Sequence, residues 1–115
     1  MSQIAEPPVF DIKQLRDICM EDADLMRELA VSLVDDANAK IPALIEAVER
    51  ADGTGCVRLA HYVKGACANV GAVALAALMK NIERSATAGN FDACRASLLM
   101  LNTELQKFSA ASSSL

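Results

Sequence analysis

Tryptophan is absent from this 115-residue chain, and its aromatics are one tyrosine and three phenylalanines. A sequence that is 53% hydrophobic but so poor in aromatic rings must fill its core with aliphatic side chains, and alanine and leucine dominate. Alternating apolar and polar strand patterns are missing too, so the composition favours packed helices over sheets. Clusters of lysine and arginine are lacking, and the net charge is −4, which argues against a nucleic-acid partner. Met1 to Phe10 contains neither a basic n-region nor an apolar h-region, and no apolar run approaches the ~20 residues that span a bilayer. The expectation is a cytoplasmic monomer with no membrane partner. The C-x-x-C spacing is absent from the four cysteines, Cys19, Cys56, Cys67 and Cys94, and the lone histidine completes no zinc pattern. No metal site is expected. The cysteines read as small buried hydrophobes, with Cys56 and Cys94 on predicted core stripes. There is no internal repeat and no glycine-rich phosphate loop after a strand.

What is present is a series of amphipathic stretches long enough for one domain with one core. Residues 1–9, with Pro7-Pro8, read as a flexible lead-in. Asp11 suits the N-cap of a short helix carrying Ile12, Leu15 and Ile18, expected to lie across one end of the fold as a lid. Asp22 suits the cap of a long helix to about Ala51, with Leu25, Leu29, Leu33, Ala37, Ile41, Leu44 and Val48 on its apolar side. Pro42 predicts a kink near Asn38–Ile41, and the neighbouring acids Asp35, Asp36, Glu46 and Glu49 read as solvated charges. Asp52-Gly53-Thr54-Gly55 is the clearest break, with Gly53 suited to ending one helix and Thr54 to capping the next. That next helix runs to about Asn69, where Gly71 supplies a turn. A fourth helix, Ala72 to Ala88, presents Leu75, Leu78, Met79, Ile82 and Ala86. After Gly89 and Asn90 the last helix carries Phe91, Cys94, Leu98, Leu101, Leu105 and Phe108. Short turns between helices of this length predict an antiparallel up-and-down four-helix bundle with a short N-terminal lid helix. The bundle is expected to span 10–109, followed by a frayed tail at 110–115.

The stretch Ala60 to Gly71 reads A-H-Y-V-K-G-A-C-A-N-V-G and holds the only histidine. On a helix, Cys56, Leu59, Val63, Ala66 and Val70 share one apolar stripe, and His61 points about 160° away from Val63. A complete stripe elsewhere rejects a core role for His61. Geometry alone leaves an incidental surface histidine open. Its neighbours argue for more. Lys64 lies one turn on and Arg58 one turn back, each able to reach an anion carried by the imidazole. Val57 and Ala68 share that outer face. Gly65 stacks there without a side chain, although glycine inside a helix costs about 1 kcal/mol relative to alanine. A nucleophilic nitrogen, flanking cations and a cleared landing site suit a histidine phosphorylated by a docking partner.

At these residues the chain resembles the histidine-containing phosphotransfer (HPt) domains of multistep phosphorelays. The family motif H-x-x-K-G, followed six residues later by glycine, stands here as His61, Lys64, Gly65 and Gly71. Ala60 before the histidine matches, as does the layout Ala68-Asn69-Val70-Gly71-Ala72, Leu75, Ile82-Glu83 and Gly89. Tyr62 departs where threonine or another small residue is common, and Val63 where leucine is common. The resemblance runs from about Phe10 to Phe108 and implies the same four-helix fold.

It also implies a role. His61 would be the phospho-acceptor, taking a phosphoryl group from the aspartyl phosphate of one receiver domain and passing it to another. Lys64 would stabilise the phosphate, and Val57, Arg58, Gly65 and Ala68 would form the docking face. The partners implied are response-regulator receiver domains and a hybrid histidine kinase. No cofactor of its own is expected, since Mg²⁺ would sit on the receiver. Free imidazole titrates near ~6.5, so at neutral pH most of it is a neutral nucleophile. A helical docking module without chemistry is the alternative, but pure docking needs neither His61 nor Lys64. An autophosphorylating kinase fits poorly, because Tyr62 follows the histidine where kinases typically have an acid, and no ATP-binding segment fits. The chain therefore reads as a phosphocarrier without kinase activity of its own, either free-standing or a domain of a larger kinase.

Overall fold

Four of the five helices start where a short polar side chain caps the first turn. In the computed structural model, which describes residues 8–115, Asp11 caps α1 (Ile12–Ile18), Asp22 caps α2 (Ala23–Glu49), Asp52 caps α3 (Gly53–Asn69) and Asn90 caps α5 (Phe91–Ser112). Each carboxylate or amide oxygen accepts from a first-turn backbone N–H that has no partner inside the helix. The exception is α4 (Val73–Thr87), which follows Ala72 with no side-chain cap. Its start is set by the preceding turn instead. Gly71 adopts φ +75°, and its carbonyl accepts from both Asp11 N–H and Val73 N–H.

The α2–α3 break differs from the sequence expectation. Ala51, rather than Gly53, takes the left-handed position with φ 54°, and Asp52 N–H reaches back to Ala47 O at 2.9 Å. Asp52, rather than Thr54, is the cap, because its carboxylate meets Gly55 N–H at 3.0 Å. A Cβ on Gly55 would meet that carboxylate, which would have to shift to make room.

Helix α2 packs on α3 and α5, and α4 packs on the same two, which closes the antiparallel four-helix bundle. The expected α4 stripe, Leu75, Leu78, Met79, Ile82 and Ala86, is buried throughout. On α5, Cys94, Leu101, Leu105 and Phe108 are buried, while Phe91 and Leu98 pack at the edge. The N-terminal half of α2 is turned from the expected face. Met26 and Ala30 are buried, whereas Leu25 is exposed and Leu29 only half-buried. The buried stripe of this half is Met26, Ala30, Leu33 and Ala37, and Leu25 lies about 100° around the helix from Met26, at the flank of the core. α2 runs through Pro42 as a single helix.

Helix α1 closes the end of the bundle. Leu15 is fully buried, Phe10 meets Phe108 edge-on at 5.1 Å, and Ala74 N–H donates to Pro8 O. Ile12 and Ile18, expected to face inward, are exposed. The expected lead-in falls outside the described residues as far as position 7, and Pro8 and Val9 are held against the bundle. The expected tail is helical as far as Ser112, which is buried and donates through its hydroxyl to Ser109 O. All four cysteines are buried and free. Burial pushes the Cys67 thiol up to about 12, and burial is likewise the main cause that raises Cys56 and Cys94. Thiols so protonated and enclosed are core atoms rather than nucleophiles.

Candidate functional site

The buried stripe of α3 is Cys56, Ala60, Val63 and Cys67, continued by Val70 just past the helix. Leu59 and Ala66, expected on that stripe, are half-buried at its flank. The difference rotates the contact slightly and leaves His61 outward, with 71% of its side chain exposed. Gly65 and Ala68 are exposed beside it, Arg58 is exposed, and Val57 is half-buried. A Cβ built on Gly65 would meet nothing within 4 Å, so no neighbour in the bundle requires glycine there.

The sequence reading assigned no role to Glu83, yet it joins the site together. On α4, Ile82 is fully buried against the core, and Glu83 follows it toward α3 with 20% of its side chain exposed. One carboxylate oxygen lies 3.0 Å from His61 Nδ1. Lys64 Nζ donates to both oxygens, at 3.0 and 3.4 Å. Lys64 is therefore not a free cation reaching into solvent: it is 28% exposed and committed to an interhelical ion pair. Arg58 has no ion pair among the described residues. A register signal for Glu83 existed. His61 stands ten residues before Gly71 and Glu83 twelve after it, so an antiparallel α3–α4 hairpin brings them level.

The Lys64 hydrogen bond holds the Glu83 carboxyl below its usual range, with His61 adding to the effect against an opposing cost of desolvation. An ionised carboxylate only accepts, so a neutral imidazole bound to it carries its proton on Nδ1. The lone pair is then on Nε2, at the far edge of an exposed ring. Lowering the folded-state pKa means the contact adds stability fully above the ordinary value of 4.5 and loses it as pH falls through the lowered value. Wild type is thus expected to be more stable to urea than Glu83→Gln at neutral pH, by up to ~1 kcal/mol for a partly exposed pair. The gap is expected to close below pH 4.5. A gap unchanged down to about pH 3 would show that the carboxylate charge is not its source.

Among the described residues, no group of three or more His, Cys, Asp or Glu side chains is placed to hold a metal ion, and no helix is long and apolar enough to cross a membrane. The site can offer one nucleophilic nitrogen, a carboxylate behind it and a cation one turn away.

The model of the Hpt domain family matches residues 28–111. The fold is similar to the crystal structure of histidine-containing phosphotransfer protein B (HptB) from Pseudomonas aeruginosa PAO1, with a TM-score of 0.84, 25% identity and 93% of each chain covered. A search of curated proteins finds no match.

Proposed function

We propose, for a chain that belongs to the Hpt domain family, that His61 carries a phosphoryl group between the aspartates of receiver domains in a phosphorelay. The observation that supports this most directly is the His61–Glu83 contact at 3.0 Å on an otherwise exposed ring. It leaves Nε2 free to attack the phosphorus of an incoming aspartyl phosphate. As the N–P bond forms, the P–O bond to the aspartate breaks and its carboxylate leaves with the electron pair. The ring keeps its Nδ1 proton and becomes cationic, and the Glu83 carboxylate stabilises that developing charge. The same cationic ring is a good leaving group when the next aspartate attacks, so one contact serves both halves of the transfer. The Mg²⁺ expected for the reaction is assigned to the receiver, where it would neutralise the acyl phosphate.

Lys64 begins bound to Glu83 and is close enough in sequence to turn toward a phosphate on His61. Lys64→Ala is expected to slow single-turnover transfer several-fold without abolishing it, because the partner's charges carry most of the stabilisation. Unchanged rates would reduce Lys64 to an anchor for Glu83. The proposed function itself is tested by offering the purified protein each phosphorylated receiver of its source organism. Label is expected from at least one receiver within seconds to minutes. Binding without any label would favour the non-catalytic docking module.

A further inference from the structure

We propose that Tyr62, braced against α2 by Lys40, is the anchor by which this protein grips its receiver domain and discriminates between receivers. The inference rests on the phosphocarrier reading of His61. Of the four aromatic side chains, Phe108 is buried and Phe10 and Phe91 are packed against the core, whereas Tyr62 is 51% exposed. The α3 core is complete without it, so the fold does not require an aromatic at this position.

Tyr62 follows His61 directly, about 100° around α3. Glu83 occupies the α4 side of the imidazole, and Tyr62 lies on the α2 side. There the Lys40 ammonium stands 4.8 Å from the ring centroid. Asp36, one turn before Lys40 on α2, raises the phenol above its usual range. A ring with a charge held over its face has lost some of its freedom before a partner arrives, so less is lost on binding. Rigid tyrosines with an apolar body and a polar tip are the side chains that most often dominate an interface.

Continuity with the phospho-acceptor decides the occupant. A receiver that brings its aspartyl phosphate to Nε2 must cover the surface next to His61, and the Tyr62 ring is the apolar part of that surface on the α2 side. The fitting receiver presents an apolar side chain to the ring. Asp36 and Lys40 stand at the rim with opposite signs, where they repel a partner whose charges fall in the wrong order.

The test is steady-state phosphotransfer from each receiver to wild type and variants. Tyr62→Ala is expected to raise KM for the preferred receiver at least about tenfold with kcat within about twofold, and to flatten the ranking among receivers. Tyr62→Phe keeps the ring and is expected to stay within about threefold of wild type. Lys40→Ala, which frees the ring without removing it, is expected to fall between the two. Phosphoramidate, a small donor that needs no docking surface, is expected to label wild type and Tyr62→Ala equally and His61→Gln not at all. A Tyr62→Ala protein with unchanged KM and receiver ranking overturns the Tyr62 assignment and leaves the phosphocarrier reading standing. Failure of every receiver to label wild type that phosphoramidate does label removes the phosphocarrier reading, and this inference with it.

Discussion

A His61→Gln protein is expected to take up no phosphate from any receiver that labels wild type, a loss limited only by the detection of the assay. His61 is the only histidine in the chain, and the thiols that might substitute are buried. The wild-type label is expected to be acid-labile and alkali-stable, as a phosphoramidate is and an acyl phosphate is not. Glutamine keeps a polar side chain of similar reach, and its amide can still donate to Glu83. The exposed site should therefore tolerate it at a cost well under ~1 kcal/mol. Matched thermal melts distinguish loss of the acceptor from loss of the fold. Label that persists in a folded His61→Gln protein would move the acceptor to another residue and end the assignment.

The parts of this site that were legible in the sequence are those set by local pattern. A histidine opposite a complete apolar stripe must face outward, and a one-residue error in parts of that stripe does not change the result. That is why Leu59 and Ala66 could be misplaced while His61, Gly65 and Ala68 were not. The α4 stripe was readable for the same reason, since five apolar residues recur at three- and four-residue spacing with no competing face. Helix α2 offered two apolar series side by side, Leu25–Leu29 and Met26–Ala30, and only packing against α3 and α5 chooses between them. The Asp52 cap was obscured by Gly53 and Gly55, which look like a helix end but form the first turn of the next helix. Glu83 lay beyond local reading for a different reason. It gains its place in the site from residues on another helix, His61 and Lys64 on α3.

Gly65→Gln is the substitution expected to separate activity from stability most sharply. Glycine loses more backbone entropy on folding than any other residue, so a helical glycine with no steric need is a standing cost to the fold. Open space around the Gly65 Cβ position shows that the bundle does not collect a packing benefit in return. Gly65→Ala is thus expected to raise stability by up to ~1 kcal/mol, and Gly65→Gln to keep most of that gain. Had Gly65 been a close-packing position, the larger side chain would instead overpack the core and cost roughly 1–3 kcal/mol. The functional effect runs the opposite way. Gly65 is four residues beyond His61, so a long side chain there projects along the same face toward the imidazole. A receiver then cannot bring its phosphorus within in-line reach of Nε2, where displacement of about 1 Å is enough to cost some hundredfold. Transfer from receivers is expected to fall at least that far while the melting temperature holds or rises, with Gly65→Ala intermediate in rate. Phosphoramidate, which approaches without a protein surface, should label both variants at close to the wild-type rate. A Gly65→Gln protein that melts early would place the glycine in the packing after all, and one that accepts phosphate from receivers normally would show that they dock elsewhere.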